Sequence, residues 1–526
     1  MPGTDPCRSG GRPSTVFSGP VLVDRGTGTD RLGSSRLLIL FPEVPSLLRI
    51  VLTTLFGLLS LAPVLACAQS QPEQPERESS QIDSAGLAAL LDAEFEAAMA
   101  REKIPGAAFI LVQDGRVALS RGYGQGRVNG PRVSPDRTIF PIASISKVFT
   151  ATAVMQLVDR EQIDLDADVN RYLTSTRVPP TYPQPVTARH LLSHTAGFDE
   201  LPGRRVGTAA ELMPLGRFLA DRLVRVHAPG EVTSYSSYGM ALAGLLVEDI
   251  SGLPFEEYLE RQIWQPLGMT RTSITLPTGN GFDLATAYEL DEDELVAIPY
   301  EIYQTPPSAS IVSTVEDMGR FMIAHLRGGR DAEARILSDS VMEEMHRQQS
   351  TMHPLLPGWT LGFQEDDFNG RRILEHGGDI GGFSALMTLL PDEGVGFFVV
   401  HHLEGSNLRF DVRRAILDRY FPDSRPIQSP SPNPEAADRN LRLAGTYRAS
   451  IFCHSCPDGG PNVQDFEVEA NDDGTITVWD ERWVEVGPLY FASMDGRSHI
   501  GFAEDEAGKI IALTAGSWRV LERIDP

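Results

Sequence analysis

Apolar residues recur at Leu87, Leu90, Leu91, Phe95 and Met99, a three- and four-residue spacing that predicts a helix over 84–102. Two β-prone runs follow, 107–112 and 117–120, separated by Gln113-Asp114-Gly115-Arg116. Asp-Gly between such runs predicts a tight hairpin, because both central residues tolerate positive φ. The stretch 146–160 places Val148, Ala151, Val154, Met155 and Val158 on one stripe and predicts an amphipathic helix. Met240, Leu242, Leu245, Leu246 and Ile250 mark another helix, just after Tyr235-Ser236-Ser237-Tyr238-Gly239. Further on, 375–383 reads as a glycine-lined strand edge and 384–400 as a hairpin; glycine there permits close approach of a ligand to the backbone. Beyond 443 the pattern shortens to alternating segments such as Thr475-Ile476-Thr477-Val478-Trp479, with turns such as Asp472-Asp473-Gly474, which predicts a separate small β domain.

Composition narrows the classes. A chain of 526 residues with 41% hydrophobic content can bury a large core and suggests two or three structural units. A net charge of -25, with no run of basic residues, excludes nucleic acid as a partner, since phosphate binding depends on clustered Lys and Arg. Gly122, Gly124 and Gly126 close the first hairpin and lead into no βαβ unit, so a nucleotide-binding loop is set aside.

The first 46 residues are rich in Gly, Pro, Ser and Arg without apolar periodicity, and 49–66 has the make-up of a secretory signal. Val64-Leu65-Ala66-Cys67 fits lipoprotein processing, leaving Cys67 as a lipidated N-terminus, whereas Ala66-Cys67-Ala68 fits ordinary signal peptidase, which discards it. An uncleaved membrane anchor is the third reading, opposed by Pro63 and its small neighbours. The residues upstream of the signal read as a start codon assigned too early. No second apolar run of about 20 residues follows, which excludes a multi-span protein. The expected location is therefore exported, in the periplasm or cell envelope. In an oxidising compartment Cys453-His454-Ser455-Cys456 is most simply a local disulfide; a redox motif lacks a neighbouring βαβ unit, and a zinc site lacks a second ligand pair nearby in sequence.

Chemistry concentrates at Ser144-Ile145-Ser146-Lys147. At three residues' separation on a helix, Ser144 and Lys147 share a face, so an amine can reach a hydroxyl. A serine hydroxyl is a poor nucleophile until a neighbour takes its proton, and lysine can do so only when burial or cationic company makes it neutral. Alone, Ser-x-x-Lys is a frequent string, with Ser144 an ordinary N-cap and Lys147 a surface residue. His194, with no carboxylate or cysteine at metal spacing, reads as a structural turn residue, and Tyr235 in isolation as a half-buried aromatic cap.

Taken together, Ser144-x-x-Lys147, Tyr235-Ser236-Ser237 and His376-Gly377-Gly378, in that order and spacing, resemble the serine penicillin-recognising superfamily. The branch is that of class C β-lactamases, DD-carboxypeptidases and related esterases. Residues 190–197, Pro229-Gly230, 310–314 with Asp317, and 376–383 look like that branch too, and the resemblance covers roughly 84–420. It implies an α+β fold: an antiparallel sheet flanked by helices with a mostly helical subdomain. It implies Ser144 as acylated nucleophile, Lys147 as its activating amine and Tyr235 as the second base. His376 takes the place often held by lysine, Gly378 keeps the strand edge flat, and the backbone N–H groups of Ser144 and Asp379 form the oxyanion hole. No metal or organic cofactor is implied; the partner is a small-molecule, peptide or ester substrate. Ser237 stands where the family commonly has Asn, and its shorter side chain favours a peptidase or esterase over an efficient β-lactamase. Asp379 must turn its side chain away from an oxyanion. The organisation expected is an extension and signal peptide (1–68), a polar linker (69–83), the hydrolase-like domain (84–421), a Pro/Ser-rich linker (422–440) and a small β-barrel-like domain (441–526). A catalytically silent envelope binding or scaffolding protein is the competing reading.

Overall fold

The computed structural model describes residues 82–277, 283–457 and 463–524. The extension, the signal segment, Cys67 and the linker up to residue 81 lie outside the described residues. The first helix, α1 (Ser84–Glu102), starts where Asp83 caps the amides of Ala85 and Gly86. It leads into β1 (Gly106–Gln113) and β2 (Arg116–Gly124), with Asp114 and Gly115 at φ 52° and 74°, as a two-residue hairpin turn requires. The sheet is completed by β3 (Gln364–Phe368), β4 (Arg371–Ile380), β5 (Phe383–Leu390) and β6 (Val395–His402), in the order β3-β4-β5-β6-β1-β2.

The central strands are continuous apolar runs rather than alternating ones because both faces are covered. Ala108, Ile110 and Val112 of β1 face one core, and Ala107, Phe109 and Leu111 face the other, shared with α1 and with α5 (Leu408–Tyr420). On the first side lie α2 (Ser146–Asp159), α3 (Ser237–Ser251) and α4 (Val315–Leu326). The expected stripe on α2 packs into the core, with Val148, Ala151, Val154 and Met155 buried and Val158 half-buried, but it is not the helix's only buried side: Ser146 to Leu157 are all buried. A helix wrapped on every side by protein, here α3 among other neighbours, needs no polar face.

The C-terminal region closes into an eight-stranded antiparallel barrel, β7 (Gly445–Ala449), β8 (Asp465–Ala470), β9 (Thr475–Val478), β10 (Glu481–Gly487), β11 (Tyr490–Ser493), β12 (His499–Glu504), β13 (Ile510–Ala515) and β14 (Arg519–Arg523). Tyr447, Trp483, Phe491 and Phe502 fill its interior, as expected for so few strands. The stretch expected to be a linker is only partly one. Its second half forms a 3-10 turn, Pro434–Ala436, and a short helix, Ala437–Asn440. Asn440 donates to the Gly474 carbonyl at 3.1 Å, and a Cβ on Gly474 would lie 1.8 Å from the Asn433 carbonyl oxygen. Polar composition here reflects a solvent-facing cap on the barrel.

Candidate active site

Between β-structure and α2 the chain makes a 3-10 turn, Ala143–Ile145, so Ser144 precedes the helix rather than opening it. Ala143 is held at φ 47°, a left-handed conformation that costs a non-glycine residue about 1–2 kcal/mol. The result is exposure at one point: from 138 to 157 every residue but Ser144 is buried. Ser146 cannot serve as nucleophile, since its Oγ donates to the Ala143 carbonyl at 2.6 Å and accepts from the Ile311 amide at 3.0 Å.

Lys147 is 1% exposed and donates to Ser144 Oγ at 3.0 Å and to the Ser308 carbonyl at 2.7 Å. Burial, and after it the charge of Arg204, pull this amine well below its ordinary 10.5, against the opposing effect of Glu200. Tyr235 closes the triangle: its ring lies 4.8 Å from the Lys147 amine, and its phenol faces Ser144. Burial above all pushes the phenol up, so it stays protonated at neutral pH and suits proton relay.

His194 holds Tyr235 in place, a role its sequence context did not reveal. Its carbonyl accepts from the Ser234 amide at 2.9 Å, its Nδ1 accepts from the Ser236 amide at 3.1 Å, and its ring packs 4.5 Å from the Tyr235 ring. Ser236 then caps α3 through the Gly239 amide, and buried Ser237 gives its amide to Glu200. Glu200 and Arg204, paired at 3.5 Å, are thus a second charged element of the site that no motif marked.

β4 supplies the opposite wall. Its pairing with β3 ends at Gln364 and Glu375, which leaves 376–380 unpaired on that side and free to run against the Ser144 turn. A Cβ on Gly378 would stand 2.4 Å from the Ile142 carbonyl oxygen and 3.1 Å from the Ser144 nitrogen, so only glycine allows this approach. Gly378→Ala is expected to lower stability by about 1–3 kcal/mol through overpacking. It is also expected to lower kcat more than it raises KM, checked by urea denaturation and steady-state kinetics. Buried His376 gives its Nδ1 proton to the Gly377 carbonyl at 2.7 Å; burial and the nearby Lys147 pull it down to about 3, so it is a neutral ring and no substitute for a lysine charge. Asp379 directs its carboxylate to Ser384 Oγ at 2.6 Å and to Arg409 at 2.6 Å.

The barrel reaches the site as well. Trp518, on the turn between β13 and β14, stands 5.1 Å from the Tyr235 ring. Buried Trp359 ties this turn down by donating to the Ser517 carbonyl at 2.8 Å. Nothing in the short-strand pattern signalled this, because the approach is set by docking of the barrel rather than by local sequence.

The family model for Beta-lactamase matches residues 91–420. Penicillin-binding protein 4 of Amycolatopsis lactamdurans is 30% identical over 369 residues, 67% of this chain and 95% of that protein. Protein flp of Staphylococcus aureus (strain N315) is 25% identical over 57% of this chain, which spans 60% of flp's length. Among solved structures, the octameric penicillin-binding protein homologue from Pyrococcus abyssi superposes with a TM-score of 0.55 at 23% identity, over 84% of this chain and 100% of its own. Crystal structures of SurE give 0.59 at 21% identity, with the same coverage of both chains. The partly exposed Ser144, buried Lys147 and half-buried Tyr235 lie within the matched region, and the chain belongs to the Beta-lactamase family within the serine penicillin-recognising superfamily.

Proposed function

We propose that the protein is an exported serine hydrolase that forms an acyl-enzyme on Ser144 with a D-amino-acid peptide, an ester or a β-lactam-like amide. The observation that carries this reading is the buried, pKa-depressed Lys147 amine 3.0 Å from Ser144 Oγ, the hydroxyl of the one residue in 138–157 that is not buried. Lys147 takes the Ser144 proton as Oγ attacks the substrate carbonyl. Tyr235 passes a proton to the leaving group and later takes one from the attacking water. The amides of Ser144 and Asp379 receive the developing oxyanion, a contribution of about a hundred- to a thousand-fold per donor. Pairing of Asp379 with Arg409 keeps its carboxylate from opposing that charge. Retention of all three contacts supports a hydrolase over a silent scaffold. The short Ser237 side chain supports peptidase or esterase activity over efficient β-lactam hydrolysis. The signal-like segment and the bond between Cys453 and Cys456 support export.

A panel of p-nitrophenyl esters, D-Ala-D-Ala peptides and a chromogenic cephalosporin tests the reading. Turnover of an ester or peptide at least as fast as the cephalosporin is expected, and no turnover of any class sinks it. Trp518, 49% exposed, can be removed at little cost in stability. Trp518→Ala is expected to shift the kcat/KM ratio of bulky to small acyl groups about tenfold toward the bulky ones, because it widens the cleft beside Tyr235.

A further inference from the structure

His227, His454 and Glu522 come from three distant parts of the chain and converge where the barrel docks on the catalytic domain. His227 precedes the Pro229-Gly230 turn that leads to Tyr235, His454 lies inside the loop closed by Cys453 and Cys456, and Glu522 is on β14. The two Nε2 atoms face each other at 3.3 Å. Each ring also faces one oxygen of the same carboxylate, at 3.2 Å from His227 and 3.5 Å from His454. The side chains are only 14%, 17% and 12% exposed.

Those edges have a geometric meaning. Ligands bound tetrahedrally at about 2.0–2.1 Å stand about 3.3 Å from one another, so the two Nε2 atoms already span one edge of such a site, and the carboxylate, with Oε1 nearest His227 and Oε2 nearest His454, lies beside that edge as the third ligand. Two imidazoles and a carboxylate are a donor set suited to zinc and its transition-metal neighbours. A carboxylate also stands behind the ring: the other ring nitrogen of His454 lies 3.6 Å from Asp199 Oδ1, beyond a hydrogen bond but on the side from which carboxylates support ligating histidines. Asp199 is fully buried and itself fixed by the amides of His454 at 2.8 Å and Ser455 at 3.0 Å. The cysteines on either side of His454 are bonded to each other and do not compete as thiolate ligands.

We propose that His227, His454 and Glu522 bind one divalent transition-metal ion of the zinc class, with a water or another exogenous group completing the shell, and so clip the barrel to the catalytic domain. The sequence offered no second ligand pair beside Cys453 and Cys456; the fold supplies it from 227 positions upstream and 68 downstream of His454. The clip stands beside the segment that carries Tyr235. Ser234 Oγ donates to the Ser450 carbonyl at 2.9 Å, so the loop that presents His454 is also bonded to the neighbour of the phenol. The ion has a structural role there and takes part in no step of acyl transfer.

The test uses the full chain, stripped with a chelator and then titrated with zinc alone and with cobalt(II) alone. About one zinc per chain is expected to survive gel filtration, with the visible absorption of tetrahedral cobalt in the second titration and a chelator-reversible rise in Tm. Glu522→Gln keeps the side-chain shape and is expected to lower the bound zinc at least tenfold, and Asp199→Asn to weaken affinity about 10–100-fold. The double variant His227→Gln with His454→Gln is expected to bind none. Retention of less than about a tenth of an equivalent by the folded wild-type chain at micromolar zinc overturns the proposal. So does an unchanged stoichiometry and cobalt spectrum in folded Glu522→Gln. Because the wild-type chain alone can give the first result, failure of a variant to fold does not shield the proposal.

Discussion

Ser144→Ala is expected to abolish covalent labelling by a fluorophosphonate or a fluorescent penicillin and to lower kcat by about 10⁴- to 10⁶-fold, the scale of nucleophile loss in serine hydrolases. The size follows from geometry. Lys147 and Tyr235 both converge on the one Oγ, and no other hydroxyl in the segment from 138 to 157 reaches solvent. Ser146→Ala is the matching control. It removes two buried hydrogen bonds, to the Ala143 carbonyl and from the Ile311 amide, and is expected to cost about 1–3 kcal/mol of stability while labelling persists. Intact-protein mass spectrometry of both variants after reagent treatment decides the matter. An adduct on Ser144→Ala equal to that on the wild type removes Ser144 from the mechanism.

Much of this site could be read from the chain because its parts are local. The spacing of Ser144 and Lys147 forces them together whatever surrounds them, and the hairpin at Asp114-Gly115 follows from turn chemistry alone. Gly378 was legible as a close approach, although what it approaches, the Ile142 carbonyl and the Ser144 amide, was not. The parts that escaped are those set by burial and docking. A stripe on α2 suggested one polar face, yet the helix lies between layers and its polar residues are buried: Thr150 donates to the Pro307 carbonyl and Thr152 to the Val148 carbonyl. His194 looked like a turn residue and is one, at φ 57°, but its second duty depends on Tyr235 arriving from 41 positions later. Glu200, Arg204, Trp359 and Trp518 carry no motif. Their relevance rests on contacts that exist only once the helical layer and the barrel have packed against the sheet.

Lys147→Met gives the second large effect, and it runs in opposite directions for activity and stability. Loss of the proton acceptor is expected to lower kcat by about 10²- to 10⁴-fold, the range for general-base removal. Lys147→Arg is expected to be no better, since a guanidinium stays charged. In the wild type, kcat/KM should rise with pH through the depressed pKa of Lys147, because only the neutral amine accepts the Ser144 proton. Stability follows from the same shift. The amine has an ordinary pKa of 10.5 when unfolded and a lower one when folded, so between those two values the unfolded chain binds more protons. Wild-type stability therefore rises with pH across that window, by up to about 1.4 kcal/mol per unit from this one group. Methionine carries no such dependence. It does leave the Ser308 carbonyl without its donor, an offset of about 1–3 kcal/mol that does not vary with pH. The informative quantity is thus the trend: Tm of Lys147→Met minus Tm of the wild type is expected to fall steadily as pH is raised from the depressed pKa of the folded amine toward 10.5. A flat difference over that range would mean that Lys147 is an ordinary charged amine in the folded protein, and with it would go the reason Ser144 is reactive.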